Sequence, residues 1–123
     1  MKRPLFLLLG LAALLFAVGD GRGGPVTPFA EDKAVLGPLT SRLYTVEFKG
    51  GQRALVLATG NGATFMGVYV YDAQGNCVAW DDEGNLWTCD DLAVDWTPPA
   101  NAIYTIEVRN AGLVKNTCRV VMR

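Results

Sequence analysis

The sequence predicts an all-β protein, an antiparallel β-sandwich of the jelly-roll kind with about seven to eight short strands. Apolar and polar residues alternate with a period of two over much of residues 42–123. Clusters of Gly, Asn, Asp and Pro separate the alternating segments, as turns separate short strands. The apolar residues of this region do not follow the spacing of three to four that a helix requires.

The first strands are predicted at residues 42–49 and 52–59. In the first, Tyr44, Val46 and Phe48 share one face, which is typical of a half-buried strand, and two glycines end it. The second is apolar on both faces, which favours an interior strand. A Gly-Asn-Gly triplet then turns the chain.

A hairpin at residues 65–81 forms the centre of the predicted sandwich. Its arms, 65–72 and 77–81, are rich in Val, Tyr and Trp, which suit a pleated and half-buried surface. The intervening segment contains Asp, Gly and Asn, whose side-chain hydrogen bonds and backbone freedom allow a chain reversal.

Three more strands follow, each with one apolar face. Pro98 and Pro99 end the first of them, because proline has no N–H to donate to a sheet. We expect the three apolar faces to contribute to the core. They are Leu92, Val94 and Trp96; Tyr104, Ile106 and Val108; and Cys118, Val120 and Met122.

The N-terminus has the three parts of a secretory signal peptide. Lys2 and Arg3 precede an apolar segment at 5–18, and small residues precede a cleavage point before Asp20. We therefore predict a signal peptide at residues 1–19. The alternative is a retained membrane anchor, but the apolar segment is shorter than the roughly 20 residues that span a bilayer.

The remaining chain is predicted to divide into a leader and one domain. Residues 20–40 begin with a Gly- and Pro-rich stretch, which favours a flexible leader. Residues 41–123 hold the predicted strands and form the β-sandwich domain. Export would place this domain in the periplasm, at the cell surface or outside the cell.

Charge is distributed unevenly along a chain whose formal net charge is −1. Eight acidic residues and no Lys or Arg lie between Ala54 and Glu107. A nucleic-acid-binding protein would show a basic face instead, so we expect no nucleic-acid partner. We also expect no membrane partner once the signal peptide is removed.

The residue types argue against catalysis. The chain has no His and a single Ser, Ser41, so neither a Ser-His-Asp triad nor a Cys-His pair can form. A hydrolase built on two carboxylates would need them to converge in a cleft, whereas acidic residues in loops are more often turn formers. We therefore expect a non-enzymatic protein. The carboxylates considered are Asp81, Asp82, Glu83, Asp90 and Asp91.

The two reversals of the hairpin concentrate oxygen-bearing side chains. Calcium prefers carboxylate and amide oxygens, and the acidic middle of the chain favours a cation. The spacing differs from that of an EF-hand loop, and Asp and Asn also occur in turns for backbone reasons. The candidate calcium ligands are Asp72, Asn76, Asp81, Asp82 and Asn85.

Aromatic residues of the hairpin region allow two interpretations. Tyr71, Trp80 and Trp87, exposed together on one surface, would form a sugar-stacking face, to which Tyr69 could add. Aromatic residues in strands are more often packed against neighbouring strands. A structural role therefore predicts that Trp80 and Trp96 are buried.

Three cysteines in an exported chain favour one disulfide and one thiol. Cys118 lies on an apolar face and is expected in the core. Cys77 and Cys89 flank a chain reversal that would bring them within disulfide distance. We predict the pair Cys77 with Cys89, unless the two strands place the cysteines out of register.

Four segments resemble a known family. They are a Tyr-x-Val-x-Phe-x-Gly-Gly strand at 44–51, VYD with GN and VA at 70–79, V-x-WTP at 94–98, and YTIEVRN with a later Gly and Asn at 104–116. Together they resemble small secreted bacterial β-sandwich proteins, of planctomycete-like genomes, related to the pre-peptidase C-terminal domain. This resemblance implies a jelly-roll-like fold, export and an accessory or binding role, with calcium bound in some members. The chain departs from the family where Ala63, Phe65 and Gly67 replace alternating acidic residues.

We therefore expect a secreted, non-enzymatic binding or structural module whose partner is a protein or polysaccharide at the cell surface. One alternative is a carbohydrate-binding module that uses strand aromatics. Another is a calcium-stabilised accessory domain of an extracellular hydrolase system.

Overall fold

A computed structural model describes residues 30–82 and 91–123 of the chain. These residues contain eight strands and no helix, so within them no helix has the length and apolar character needed to cross a membrane. The strands are β1 Ala30–Leu36, β2 Ser41–Phe48, β3 Ala54–Thr59, β4 Met66–Tyr71, β5 Cys77–Asp81, β6 Asp91–Trp96, β7 Ala102–Asn110 and β8 Asn116–Met122.

The strands form two antiparallel four-stranded sheets that pack face to face. One sheet has the order β1-β8-β3-β6 and the other has the order β2-β7-β4-β5. Pairing joins β1 to β8, β2 to β7, β3 to β6 and β4 to β5. The chain is thus a long two-stranded ribbon folded across both sheets, which is the jelly-roll arrangement. The predicted fold class is confirmed.

The β4–β5 hairpin closes this ribbon, as the sequence predicts. Asp72 Oδ1 accepts hydrogen bonds from the backbone N–H groups of Gln74 and Asn76, at 2.9 Å each. Gly75 has a φ of +86°, which glycine adopts without the steric cost of a side chain. The turn therefore owes its conformation to Asp72 and Gly75.

The core lies between the two sheets and is made of the alternating faces that the sequence predicts. Val56, Val68, Ile106 and Val120 are fully buried. Of the nine residues on the three predicted apolar faces, all are buried except Trp96, which is half-buried. Its ring packs edge-on against Phe48 and Tyr104, with centroids 5.0 and 5.4 Å away.

The first strand was missed by the sequence prediction. The sequence predicts a flexible leader at residues 20–40, whereas Ala30–Leu36 forms β1 and pairs with β8 along its whole length. Asp32 also fastens β1 to the facing sheet, because its Oδ2 accepts hydrogen bonds from the Tyr44 hydroxyl at 2.6 Å and from Arg42 at 3.2 Å. The predicted signal peptide and the start of the leader lie outside the described residues and stay predictions.

The sandwich has two ends of different character. We call one the loop end; the described loops that form it are 37–40, 60–65 and 111–115. The end of β5 and the start of β6 also lie at this end. The opposite end holds the loops at 49–53 and 97–101, together with the hairpin turn. The described chain enters β1 and leaves β8 at this opposite end, since Ala30 pairs with Met122.

Candidate functional site

The predicted calcium ligands fall into two groups. Asp72 and Asn76 belong to the hairpin turn, whereas Asp81 pairs with Val68, four residues along β4 from Asp72. That spacing corresponds to roughly 13 Å of strand. Among the described residues, no group of three or more acidic, Cys or His side chains is close enough to hold a metal ion. Asn85 lies outside the described residues.

Asp81 and Asp82 each accept a hydrogen bond from a neighbouring strand. Asp81 Oδ2 accepts a hydrogen bond from the Ala93 N–H of β6 at 3.0 Å. Asp82 Oδ2 accepts one from the Tyr69 hydroxyl at 3.1 Å. Calcium binding at the two reversals, by Asp72 and Asn76 and by Asp81, Asp82 and Asn85, stays a prediction.

The cysteines are partly described. Cys118 is buried in the core, as predicted. Cys77 is half-buried, and its Sγ lies 3.6 Å from the carbonyl oxygen of Ala79. No disulfide joins Cys77 to Cys118. Cys89 lies outside the described residues, so its pairing with Cys77 stays a prediction.

Two of the four aromatics considered for the sugar-stacking surface are buried. Tyr69 and Tyr71 are buried, while Trp80 is 50% exposed, so the burial expected for Trp80 is wrong. Tyr71 belongs to the interior strand β4, whereas Trp80 lies on the edge strand β5. Trp87 is outside the described residues. The Trp80 ring borders a groove of about 350 Å³ between β5 and β6, lined also by Ala79, Ala93, Val94 and Asp95.

A buried carboxylate organises the outer face of the β2-β7-β4 sheet. Glu107 accepts hydrogen bonds from the Ser41 hydroxyl at 2.7 Å, the Tyr71 hydroxyl at 2.9 Å, and both Nε and an Nη of Arg109. The Arg109 guanidinium also lies 4.6 Å from the centroid of the Tyr69 ring. Four donors thus occupy the two carboxylate oxygens. Glu107 therefore links neighbouring strands through hydrogen bonds and is poorly suited to accept a substrate proton.

The pKa values of this cluster follow from its packing. Burial raises the pKa of Tyr71, and the adjacent Glu107 carboxylate raises it further. For Arg109, burial is the largest single influence and opposes the charge, but the hydrogen bond to Glu107, the charge of Glu107 and the nearby Tyr69 and Tyr71 together outweigh it and raise the pKa of Arg109. Tyr71 therefore stays neutral and Arg109 stays charged at physiological pH.

The loop end exposes large apolar side chains. Leu39 is 66% exposed, Phe65 64%, Leu113 78% and Val114 55%. They come from three separate loops, and Lys115 is the single charged residue in those loops. A cluster of exposed apolar side chains on neighbouring loops is typical of an interaction surface.

Backbone hydrogen bonds join the three loops to one another. The Leu39 N–H donates to the Gly112 carbonyl at 3.0 Å, and the Ala111 N–H donates to the Phe65 carbonyl at 2.9 Å. The 111–115 loop therefore lies between the other two. The exposed apolar side chains therefore extend from loops whose backbones are hydrogen-bonded to one another.

Asn110 ties two of the loops together from below. It is fully buried, and its Nδ2 donates to the carbonyls of Leu36, Gly37 and Val114 at 2.9–3.1 Å. Its Oδ1 accepts a hydrogen bond from the Gly112 N–H at 2.9 Å. One side chain thus holds both the 37–40 and the 111–115 loops.

Asn116 holds the third loop, at 60–65, through similar hydrogen bonds. It is also fully buried, donating to Thr64 Oγ1 at 2.9 Å and accepting from the Asn61 N–H at 3.0 Å. Thr64 packs so closely against Gly112 that a Cβ at position 112 would lie 2.3 Å from its methyl group. Only glycine fits there.

Leu39 has an unusual backbone conformation. Its φ is +56°, and no other non-glycine residue among those described has a positive φ. The left-handed region costs an L-residue with a side chain of this kind roughly 1–2 kcal/mol. Such strain is retained at positions where surrounding contacts determine the conformation, and here it keeps a large apolar side chain in solvent.

The sequence prediction overlooked the loop end. Asn110, Gly112 and Asn116 belong to the segment that resembles the family, but the sequence predicts only a turn after β7. A signal was present, since Leu39, Phe65 and Leu113 stand among Gly, Pro, Asn and Thr residues that otherwise mark exposed turns.

Comparison with known proteins adds no relative. No protein-family model and no curated protein sequence matches the chain. The resemblance to pre-peptidase C-terminal domains therefore stays a prediction.

Proposed function

We propose that this chain is a secreted binding module, without catalytic activity of its own, that docks through its loop end onto a partner at the cell surface or outside the cell. The observation that carries the proposal is the exposure of Leu39, Phe65, Leu113 and Val114 on three loops that buried asparagines hold together.

The energy available from docking supports this role. Burying a Leu, Val or Phe side chain completely is worth about 1.5–3 kcal/mol, and each of the four is more than half exposed. Covering them would contribute roughly 1 kcal/mol or more each. Because the loops are already ordered, little of this gain is lost to ordering them on binding.

The position of the loop end also supports docking. The described chain enters and leaves the sandwich at the opposite end, where Ala30 pairs with Met122. The first described residue and the end of β8 therefore lie away from the loop end.

The polar residues support the absence of catalysis. The chain has no His, and its single Ser donates its hydroxyl to Glu107, whose oxygens already accept three further hydrogen bonds. This arrangement holds neither an activated nucleophile nor an available base.

Sedimentation of the exported protein with cell envelopes of the producing organism tests the proposal. The variant L113S/V114S removes two apolar side chains from the loop end, and V78S/I103S is the matched control. Val78 and Ile103 are 42% and 50% exposed and lie at the strand ends farthest from the loop end. We expect at least a tenfold loss of binding for the first variant and little change for the control. Equal binding by both variants would reject the proposal.

Carbohydrate binding is a second candidate function. Trp80 is half exposed beside the β5–β6 groove, with the Asp95 carboxylate on the same groove. An aromatic platform next to a hydrogen-bond acceptor is suited to a sugar ring. This function would use the groove and leave the loop end uncovered.

A further inference from the structure

We infer that the surface on which the loop end docks is a lipid bilayer, into whose interfacial region Leu39, Phe65, Leu113 and Val114 insert. This inference rests on the proposed function and names the class of partner. Three features of the loop end support it: its low charge, its bonded backbone and its small size.

The low charge suits an apolar phase. The three loops hold no acidic residue, and their one basic residue is Lys115, whose long side chain can keep its ammonium group in water while the stem lies in the interface. Of the described acidic residues near this end, Glu107 accepts hydrogen bonds from Ser41, Tyr71 and Arg109. Asp82 and Asp91 lie at the end of β5 and the start of β6, along one edge of the sandwich. Apolar contact, more than attraction to charged lipid, would therefore drive binding.

The bonded backbone lowers the cost of inserting these loops. A backbone N–H or C=O that enters hydrocarbon without a partner is strongly unfavourable. At the loop end, the Leu39 and Ala111 N–H groups already donate to neighbouring loops. Asn110 also takes up the carbonyls of Gly37 and Val114. The tips can thus lose water without losing these hydrogen bonds.

The size of the loop end disfavours a large protein interface. A stable protein partner usually covers about 800 Å² and 20–30 residues on each side, more residues than the three described loops contain. A lipid surface requires neither that area nor a matching shape. We expect weak, reversible binding, comparable to the association constant of about 10⁴ M⁻¹ of a single acyl chain.

Docking of the loop end on lipid differs from the expectation of no membrane partner once the signal peptide is removed. Interfacial docking needs no spanning segment.

Vesicle sedimentation of the exported protein tests the inference. Its N-terminus is determined first, because a retained apolar segment at 5–18 would itself bind lipid. Vesicles of phosphatidylcholine, with and without phosphatidylglycerol, are compared in low and high salt. We expect the parent and V78S/I103S to bind the two vesicle compositions with affinities within about threefold of each other, and to retain this binding in high salt. We expect L113S/V114S to bind with at least tenfold lower affinity than the parent.

A second variant covers the case in which L113S/V114S does not fold. Asn tolerates the left-handed backbone conformation, so Leu39→Asn removes an apolar side chain while it keeps the loop geometry. We expect this variant to unfold at the same temperature as the parent or higher, and to bind vesicles several-fold less.

Two outcomes would overturn the lipid inference. One is vesicle binding that neither loop variant weakens. The other is envelope binding that depends on Leu113 and Val114 in the absence of any vesicle binding; this result would leave the proposed function intact with a protein or polysaccharide partner. Envelope binding that is independent of these residues would reject the proposed function itself.

Discussion

Glu107 shows how one buried charge connects three strands. Its carboxylate accepts from Ser41 on β2, Tyr71 on β4 and Arg109 on β7. Removing the carboxylate would leave these donors without their acceptor in a largely buried site. Breaking a fully buried ion pair costs about 3–5 kcal/mol; because Arg109 is partly exposed, we expect Glu107→Ala to cost about 2–4 kcal/mol.

Urea unfolding measures this cost, and Asp95→Ala is the control. Asp95 forms its ion pair with Arg53 on the surface, where such pairs contribute about 0–1 kcal/mol. Equal losses of stability in the two variants would contradict the role given to Glu107.

The raised pKa values of two buried tyrosines predict that the protein loses stability in alkali. Burial raises the pKa of Tyr44, as does its hydrogen bond to Asp32, and the pKa of Tyr71 is raised by burial and by Glu107. Both side chains lose their protons more readily in the unfolded chain, where the pKa of Tyr is about 10. Their contribution is therefore complete below about pH 10 and decreases as the pH rises beyond it.

Urea unfolding between pH 8 and pH 11 tests this dependence. We expect the free energy of unfolding to fall above about pH 10. The double variant Y44F/Y71F should be less stable at pH 8 and should show a shallower fall. An identical pH dependence in parent and variant would show that these hydroxyls are not responsible.

At the level of the strands, two residues of the interior strand β7 show how burial differs between the two faces of the sheet. Ile106 is fully buried, whereas Ile103, three residues earlier on the same strand, is 50% exposed. Ile106→Ala should destabilise the protein by about 2–5 kcal/mol through lost burial and a cavity. Ile103→Ala should cost less than about 1 kcal/mol. Comparable losses in urea would mean that the faces of β7 are assigned wrongly.

The strands that could be predicted are those whose alternation is strong. β2, β3, the hairpin and β6 to β8 carry Val, Leu, Ile and aromatic residues on their buried faces, and burial of such side chains dominates strand formation. β1 has a weaker pattern, with Ala34 and Leu36 as its buried apolar residues. Its place depends on pairing with β8 and on the contacts of Asp32, both of which are distant in sequence.

At the level of the whole molecule, the loop end arises from the topology. The jelly roll brings together loops that are separated by more than 70 residues, so that Leu39 contacts Gly112. Sequence patterns report local periodicity and carry little information about contacts between loops that are distant in sequence. For the same reason the sequence does not show that the length of the hairpin strands separates Asp72 from Asp81.

The central claim is that the loop end is the docking surface, and hydroxyl-radical footprinting of envelope-bound protein tests it most directly. Free protein should be oxidised at Leu39, Phe65, Leu113 and Trp80, since all four are at least half exposed. On binding, we expect strong protection of the three loop residues and unchanged oxidation of Trp80. Protection of Trp80 with unchanged oxidation of the loop end would contradict the account and place the partner at the β5–β6 groove.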